Sequence, residues 1–312
     1  MNNPQLIAPA ATVLPEVSPS SQWCQRWTAG RHSWRHTSEG GFDPARYLVE
    51  PISEDTARTW VVQHHYSGSY PAASRRYGLL NRAGTLLGVC VLGIPMSTAV
   101  LTNVFPDLEP MVESLELSRL VLADQVPGNG ESWFIARALA DAAESGVRGV
   151  VAFADPVPRA LDGRTVFPGH RGVIYMASNA LYLGRATART LTLLPDGRVL
   201  SDRSAQKIRK QERGHAHVER QLVRLGATPR RAGEGGAAWL ADALSQLGAT
   251  RLRHRGNHRY AFRLGATARR RARIRVGLPA SCYPASLDTA PAHQLDMFDA
   301  AAGAPSHIAA VA

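Results

Sequence analysis

The sequence predicts an α/β protein of the α+β type, with a mixed, mostly antiparallel central sheet flanked by helices and a basic helical addition toward the C-terminus. Three observations lead there. Strand-like and helix-like segments follow one another as strand, helix, hairpin, strand, loop, helix, strand, helix, strand, and that order decides most of the topology. A glycine-rich loop, Gln125-Val126-Pro127-Gly128-Asn129-Gly130, joins a strand to a helix. The positive charge is concentrated: residues 201–275 hold 19 Lys and Arg against five Asp and Glu, while the whole chain of 312 residues carries only +11.

Residues 1–22 are broken by Pro and lack a basic stretch, so they read as a disordered leader rather than a signal peptide, and a bacterial cytoplasm is the expected location. Residues 23–46 mix Trp23, Trp27 and Trp34 with Arg and His, an arm that packs on something. A domain is drawn from 47 to 265. "YLVEPI" opens it as a strand, and Ser53 caps the helix that follows, with Glu54 and Asp55 in its first turn. "YGLLNR" and "TLLGVCVLGIP" form a hairpin about Ala83-Gly84; the second is the longest apolar run and too short to span a bilayer, so no membrane is expected.

"ESLELSRLVLAD" is a strand, and the helix after the loop places Phe134, Ile135, Ala138, Leu139 and Ala142 on one face. "VRGVVAFADP" reads as a buried strand, "GVIYMASNAL" as a short helix, and a hairpin turns at Pro195-Asp196-Gly197. The basic segment 201–257 supplies three helices, "HRYAFRLG" a last strand, and 266–312 a basic, then Ala- and Pro-rich tail. Cys24, Cys90 and Cys282 are odd in number and far apart, against a disulfide framework or zinc cluster.

The charge and the loop carry chemistry. A basic segment beside a mildly acidic remainder points to a polyanion, double-stranded DNA first, with an Arg-rich solvated surface as the bland alternative. The loop fits Q-x-x-G-x-G and resembles the pyrophosphate loop of the GNAT acetyltransferases. Its glycines let the backbone approach an anion, and the first helical amides point at it. Gln125, Gly128, Asn129, Gly130 and Ser132 are therefore candidates for binding acetyl-CoA or a related acyl-CoA.

Six stretches, "HHYSGSYP", "ELSRLVLAD", "GNGESWFIARAL", "AFADP", "GHRGVIYMASNALYLG" and "RGNHRYAF", together resemble the Mom DNA-modification proteins of bacteriophages. The resemblance runs from about Tyr47 to Leu264. It implies a GNAT-like fold and conversion of adenine in DNA to its N6-carbamoylmethyl (acetamido) form, which protects DNA from restriction. Residue by residue it implies Arg119, Ser132, Asp155 and Tyr175 as core positions of the site, with "VPRALDGRTVFP" an insertion relative to compact members.

The residues themselves leave each role open. Asp155, at the carboxyl end of a strand, is a base, an orienting carboxylate or a plain strand terminator. Tyr175 donates to a thioester or leaving thiolate, or fills core. Arg119 pairs with an anion or with a buried acid. His65 and Tyr66, with His64, follow the first helix at the rim of the site, and His170 and Asn179 belong to the same stretch as Tyr175. His258 and Tyr260 alternate with Arg259 on a strand, the first two toward the site. Lys207 and Lys210 belong to the helices that would hold phosphates. The His pair with Tyr raises iron or zinc as an alternative; adjacent histidines diverge by about 100° on a helix, so substrate binding is preferred and no metal ligand is assigned.

Near the end, Gln294-Leu295-Asp296-Met297-Phe298 resembles the peptide by which bacterial DNA-processing proteins bind the replicative sliding clamp, a fitting cargo for a disordered tail. Two other functions compete with DNA modification: an N-acetyltransferase acting on a small amine or protein, and a DNA- or clamp-binding protein without catalysis. The basic segment separates the first from DNA modification, because a small-molecule enzyme has no need of it.

Overall fold

The structure is a computed structural model that describes residues 23–161 and 164–285. In chain order its elements are β1 (Trp23–Thr28), β2 (Arg31–His36), β3 (Tyr47–Pro51), α1 (Glu54–His64), β4 (Ala73–Asn81), β5 (Leu86–Gly93), α2 (Ala99–Thr102), β6 (Ser114–Leu122), α3 (Gly130–Glu144), β7 (Gly149–Ala154), β8 (Arg159–Leu161), β9 (Arg164–Phe167), α4 (Val173–Ala177) and β10 (Leu181–Arg185). They continue with β11 (Arg189–Leu193), β12 (Val199–Leu200), α5 (Asp202–Lys210), α6 (His215–Arg224), α7 (Gly236–Gln246), β13 (Thr250–His254), β14 (His258–Arg263) and α8 (Ala268–Ala272).

The central sheet runs β10-β14-β7-β6-β5-β4-β3. All its pairings are antiparallel except β6 with β7. That parallel pairing joins only Ser114–Leu117 to Gly149–Ala152, although β6 continues to Leu122. Beyond Leu117 the two strands part. A register shift against β5 at Val91/Leu92 leaves Ser118 as an extra residue on β6, a bulge that bends the strand where the wedge opens. The fold is thus the mixed, mostly antiparallel sheet flanked by helices that the element order predicts.

Helices cover both faces because their apolar stripes have nowhere else to go. On one face α3 buries Phe134, Ile135 and Ala138 against Leu115, Leu117 and Tyr77, and Tyr175 of α4 joins the same core. On the other, Ala57 and Val61 of α1 meet Val89, Val91 and Val121, with Trp27 of the hairpin and Phe167 of β9 packed beside them. Ser53 caps α1 as expected, accepting from the Thr56 amide at 3.1 Å.

Three expectations need correction. The basic segment does not share the main core: α5, α6 and α7 enclose one of their own, built on Ile208, Leu222, Trp239 and Leu240. A three-stranded sheet, β12-β11-β13, completes that lobe. The strand β13 was hidden in "TRLRH", where alternating arginines mask a half-buried strand whose apolar face carries little beyond Leu252. The tail does not begin at 266: residues 266–285 include α8, then bury Ile274 beside Phe105 and tie Ser281 to the Tyr182 carbonyl at 2.9 Å. Arginine-rich composition concealed those isolated anchors.

The insertion is a small hairpin, β8 with β9. The return from lobe to sheet turns at Gly256, whose φ is +100°, and a Cβ there would lie 1.9 Å from the Ala186 carbonyl oxygen. No other residue fits.

Candidate functional site

The wedge between β6 and β7 opens into a cavity of about 290 Å³ lined by Leu117–Leu122 of β6, the start of α3, the hairpin residues Trp23, Gln25, Trp27 and Trp34, and His65, Tyr66, His170 and Tyr175. Sequence elements far apart meet here because the parallel pair stops short and leaves an uncovered strand edge.

One end is the glycine-rich loop. Asn129 adopts a left-handed conformation (φ 72°) and its side chain makes no capping bond, so the first amides of α3 are not capped by it. Asn129, Glu131 and Ser132 line the cavity, and Ser132 Oγ donates to the Asn129 carbonyl at 3.1 Å. Gly130 is required sterically: a Cβ would lie 2.6 Å from Val126 Cγ1. Gln125 is exposed and Gly128 buried, and neither reaches the lining.

A residue that sequence reasoning missed holds this loop. Arg26, with no exposed surface, donates through Nη2 to the Val126 and Pro127 carbonyls, each at 2.9 Å, and pairs with Glu131. An acid in the first turn of a helix suits the helix dipole but would repel a phosphate beside it. Arg26 cancels that charge. Burial pushes the Arg26 guanidinium down to about 10, still charged at neutral pH. A helix start without a side-chain cap, a compact loop and a neutralised acid fit an acyl-CoA pyrophosphate.

The other end is polar. Arg119 donates from Nε to the Ser69 carbonyl (3.1 Å) and from Nη2 to Ser69 Oγ (3.0 Å), fixing the loop after α1. Glu116 lies on the same strand, its carboxyl pushed up by burial and partly restored by Arg119. His65 is buried, and its Nδ1 accepts from the Ser67 amide at 3.1 Å, which leaves Nε2 to carry its proton. Burial pushes its imidazole well below the usual range, and Arg119 and His170 add to the effect. Burial likewise takes His170 down to about 4. Both rings are neutral at pH 7 and able to accept or orient a proton. Tyr175 is buried against Tyr260, with ring centroids 5.2 Å apart, and burial raises its hydroxyl.

A stability dependence follows from His170. The folded protein resists protonation down to about 4, whereas the free imidazole protonates near 6.5. The unfolded state therefore binds more protons between those values, and stability falls as pH drops through that window, by up to about 3 kcal/mol from this residue. Urea unfolding at pH 7 and pH 4.5 checks it; His170→Asn should flatten the difference.

Asp155 lies behind this end and is fully engaged. Its Oδ1 accepts from His254 Nε2 at 2.9 Å and from the Val157 amide at 3.1 Å, and its Oδ2 accepts from Arg159 Nη1 at 2.8 Å. Burial alone would raise its pKa, but the His254 bond and the Arg159 charge outweigh it and hold the carboxyl well below the usual carboxylate range. His254, with no exposed surface, accepts from the Gly256 amide at Nδ1 (3.0 Å), so its proton is on Nε2 and aimed at Asp155. The Asp155 carbonyl also receives the His170 amide at 2.8 Å. The Asp155 carboxylate thus joins the basic lobe to the β8–β9 hairpin, and its main-chain carbonyl holds the His170 segment. His254 gave no sequence signal beyond being a histidine in a basic run.

Other expected site residues lie elsewhere. His258 and Tyr260 are buried core: His258 Nδ1 meets the Tyr182 hydroxyl at 2.8 Å, and the Tyr260 hydroxyl donates to the Arg171 carbonyl. Strand alternation turned them inward behind Tyr175 rather than into the cavity, with Arg259 half-buried opposite. Asn179 is exposed at the end of α4, with φ 59°. Among the described residues no group of three His, Cys, Asp or Glu is placed to hold a metal, so iron finds no support. No helix among them is long and apolar enough to cross a membrane. The peptide 294–298 and the leader lie outside the described residues.

A second cleft, about 890 Å³, runs between the hairpin tip and the basic lobe. Its cations are Arg31, Arg159 and Arg198, whereas Lys207 and Lys210 are outside its lining. Tyr66 lines both spaces.

The sequence profile of the Mom protein family matches residues 46–285. The chain belongs to the Mom family. No curated protein matches it. Among solved structures, a spermidine/spermine N-acetyltransferase from Vibrio cholerae is similar at 11% identity, covering 48% of this chain and 82% of its own, with a TM-score of 0.29. A protein described as an acetyltransferase from Acinetobacter baylyi covers 70% of this chain and 92% of its own at 11% identity and a TM-score of 0.32. The Mom-family match begins at residue 46, so the β1–β2 hairpin, which carries Arg26, precedes it.

Proposed function

We propose that this Mom-family chain converts adenine in DNA to N6-carbamoylmethyladenine (acetamidoadenine), protecting that DNA from restriction. The observation that carries the reading is at Tyr66, which lines both the cavity with its two neutral imidazoles and the cleft walled by the basic lobe.

The exocyclic amine of adenine is buried in the base stack, so the nucleotide must be extruded to react. Arg31 and Arg198 hold phosphates along the cleft while the base enters past Tyr66. His170, neutral at working pH, accepts the proton lost from N6, and His65 orients the amine through Nε2–H. Tyr175 and Arg119, which line the cavity, would donate hydrogen bonds to an oxygen of the donor. Asp155 positions His170 and the lobe. The first amides of α3 would hold the pyrophosphate of acetyl-CoA or a related acyl-CoA. The product bonds N6 to a methylene carbon, a connectivity distinct from the amide of plain acetyl transfer.

Nucleoside mass spectrometry on plasmid DNA from expressing cells tests the reading. A deoxyadenosine of carbamoylmethyl mass is expected, and it should be absent with Tyr175→Phe, which removes only a hydroxyl. Unmodified DNA together with acetyl-CoA turnover on amines would instead make the chain an N-acetyltransferase.

Binding of a sliding clamp by residues 294–298 belongs to the same reading, since a tether raises local enzyme concentration on new DNA. Clamp affinity unchanged by Leu295→Ala with Phe298→Ala sinks that part.

A further inference from the structure

The β1–β2 hairpin precedes the family match yet forms one wall of the cavity. Its register pairs Trp23 with His36, Gln25 with Trp34 and Trp27 with His32, so these six side chains share one face. The opposite face fastens it. Arg26 grips the glycine-rich loop, while Ser33 Oγ donates to Asp124 Oδ1 at 2.6 Å and Arg35 Nε to the Asp124 carbonyl at 2.8 Å. The aromatic face is therefore held still against the site.

On that face, directly across the hairpin from each other, Gln25 and Trp34 each carry a buried donor, Nε2 and Nε1, with no acceptor among the described residues. Both residues line the cavity. Buried donors are ordinarily paired, and a pair left open in a cavity wall marks a ligand that accepts. The same wall continues through Trp27, which lies parallel to Phe167 (17°) and 5.0 Å from Tyr66. Flat aromatic surface with adjacent N–H donors suits a planar heterocycle with ring acceptors. A phosphate or an acyl chain offers no such plane.

We propose that this hairpin face seats the extruded purine: the indole rings stack it, and Gln25 and Trp34 donate to its ring nitrogens, leaving the exocyclic amine toward His65 and His170. The inference rests on the DNA-adenine reading above.

The test uses the full-length protein with duplex DNA carrying 2-aminopurine at adenine positions, a base that keeps the ring acceptors. Gln25→Met and Trp34→Phe keep volume and aromatic plane while removing the donors. The wild type should change the 2-aminopurine fluorescence on binding. In each variant that change should fall roughly tenfold, as one lost hydrogen bond predicts, and modified deoxyadenosine should fall with it. DNA affinity by anisotropy and acetyl-CoA affinity should stay within about twofold.

Variants that keep both signal and modification overturn the hairpin seat alone. Loss of acetyl-CoA affinity with an unchanged 2-aminopurine response overturns it too and gives the donors to the acyl donor. A wild type with no response and no modified base overturns this inference and the proposed function together. Should Trp34→Phe lower the melting temperature, Gln25→Met decides.

Discussion

Replacing Arg26 by Met lowers the unfolding free energy by about 3–5 kcal/mol, the usual cost of leaving one partner of a buried ion pair behind. Glu131 would be left with its charge at a site where its Oε2 already lacks a partner. The Val126 and Pro127 carbonyls would also lose their donor. Urea denaturation reads the loss directly. A second consequence is specific to the anion site: acetyl-CoA affinity should drop further than stability alone explains, because an uncompensated carboxylate then faces the pyrophosphate. The double change Arg26→Met with Glu131→Gln should recover most of the stability and part of the affinity. A single variant within about 1 kcal/mol of wild type would mean that water replaces the guanidinium at no cost.

The other large effect is expected at Asp155. Changing it to Asn swaps one accepting oxygen for an N–H donor, which must then face either Arg159 or His254, both donors themselves. A loss of about 3–5 kcal/mol is expected, again because buried charge is left unpaired. Modified deoxyadenosine should fall to a small residual level while acetyl-CoA affinity is kept, since the glycine-rich loop makes none of these bonds. The pH profile distinguishes positioning from proton transfer. An orienting Asp155 leaves the residual activity of Asp155→Asn with the wild-type acid limb, which belongs to His170. A general base at Asp155 removes that limb.

Much of the main sheet was legible because its signals are local. Ser53 as a cap, the apolar face from Phe134 to Ala142, and the turn at Pro195-Asp196-Gly197 each state their structure within a few residues. The six motifs carried the family. Harder elements were those whose partners are distant: β13 reads as a run of arginines, and residues 266–285 reveal their anchors, Ile274 and Tyr283, only when a surface exists to receive them.

The candidate site divides in the same way. Ser132, Arg119, Tyr175 and the His65-Tyr66 pair could be chosen from sequence because loop spacing and motif order single them out. Strand parity turned His258 and Tyr260 into the core, a choice decided by which strands flank β14 rather than by its residues. Arg26 and His254 were invisible for the opposite reason. Each is an ordinary polar residue until folding removes it from water, and only then must it find the one partner that its burial demands.

The order of elements, the glycine-rich loop, the family motifs and the basic character of one segment are all legible along the chain, since each is a property of near neighbours. Folding decides that the segment is a separate lobe, that the hairpin walls the cavity, and that Asp155 is an anchor accepting from His254, Val157 and Arg159. Those outcomes depend on burial and pairing between residues such as Arg26 and Glu131 or Asp155 and His254, whose contact exists only after β6 and β7 have parted and the two lobes have docked.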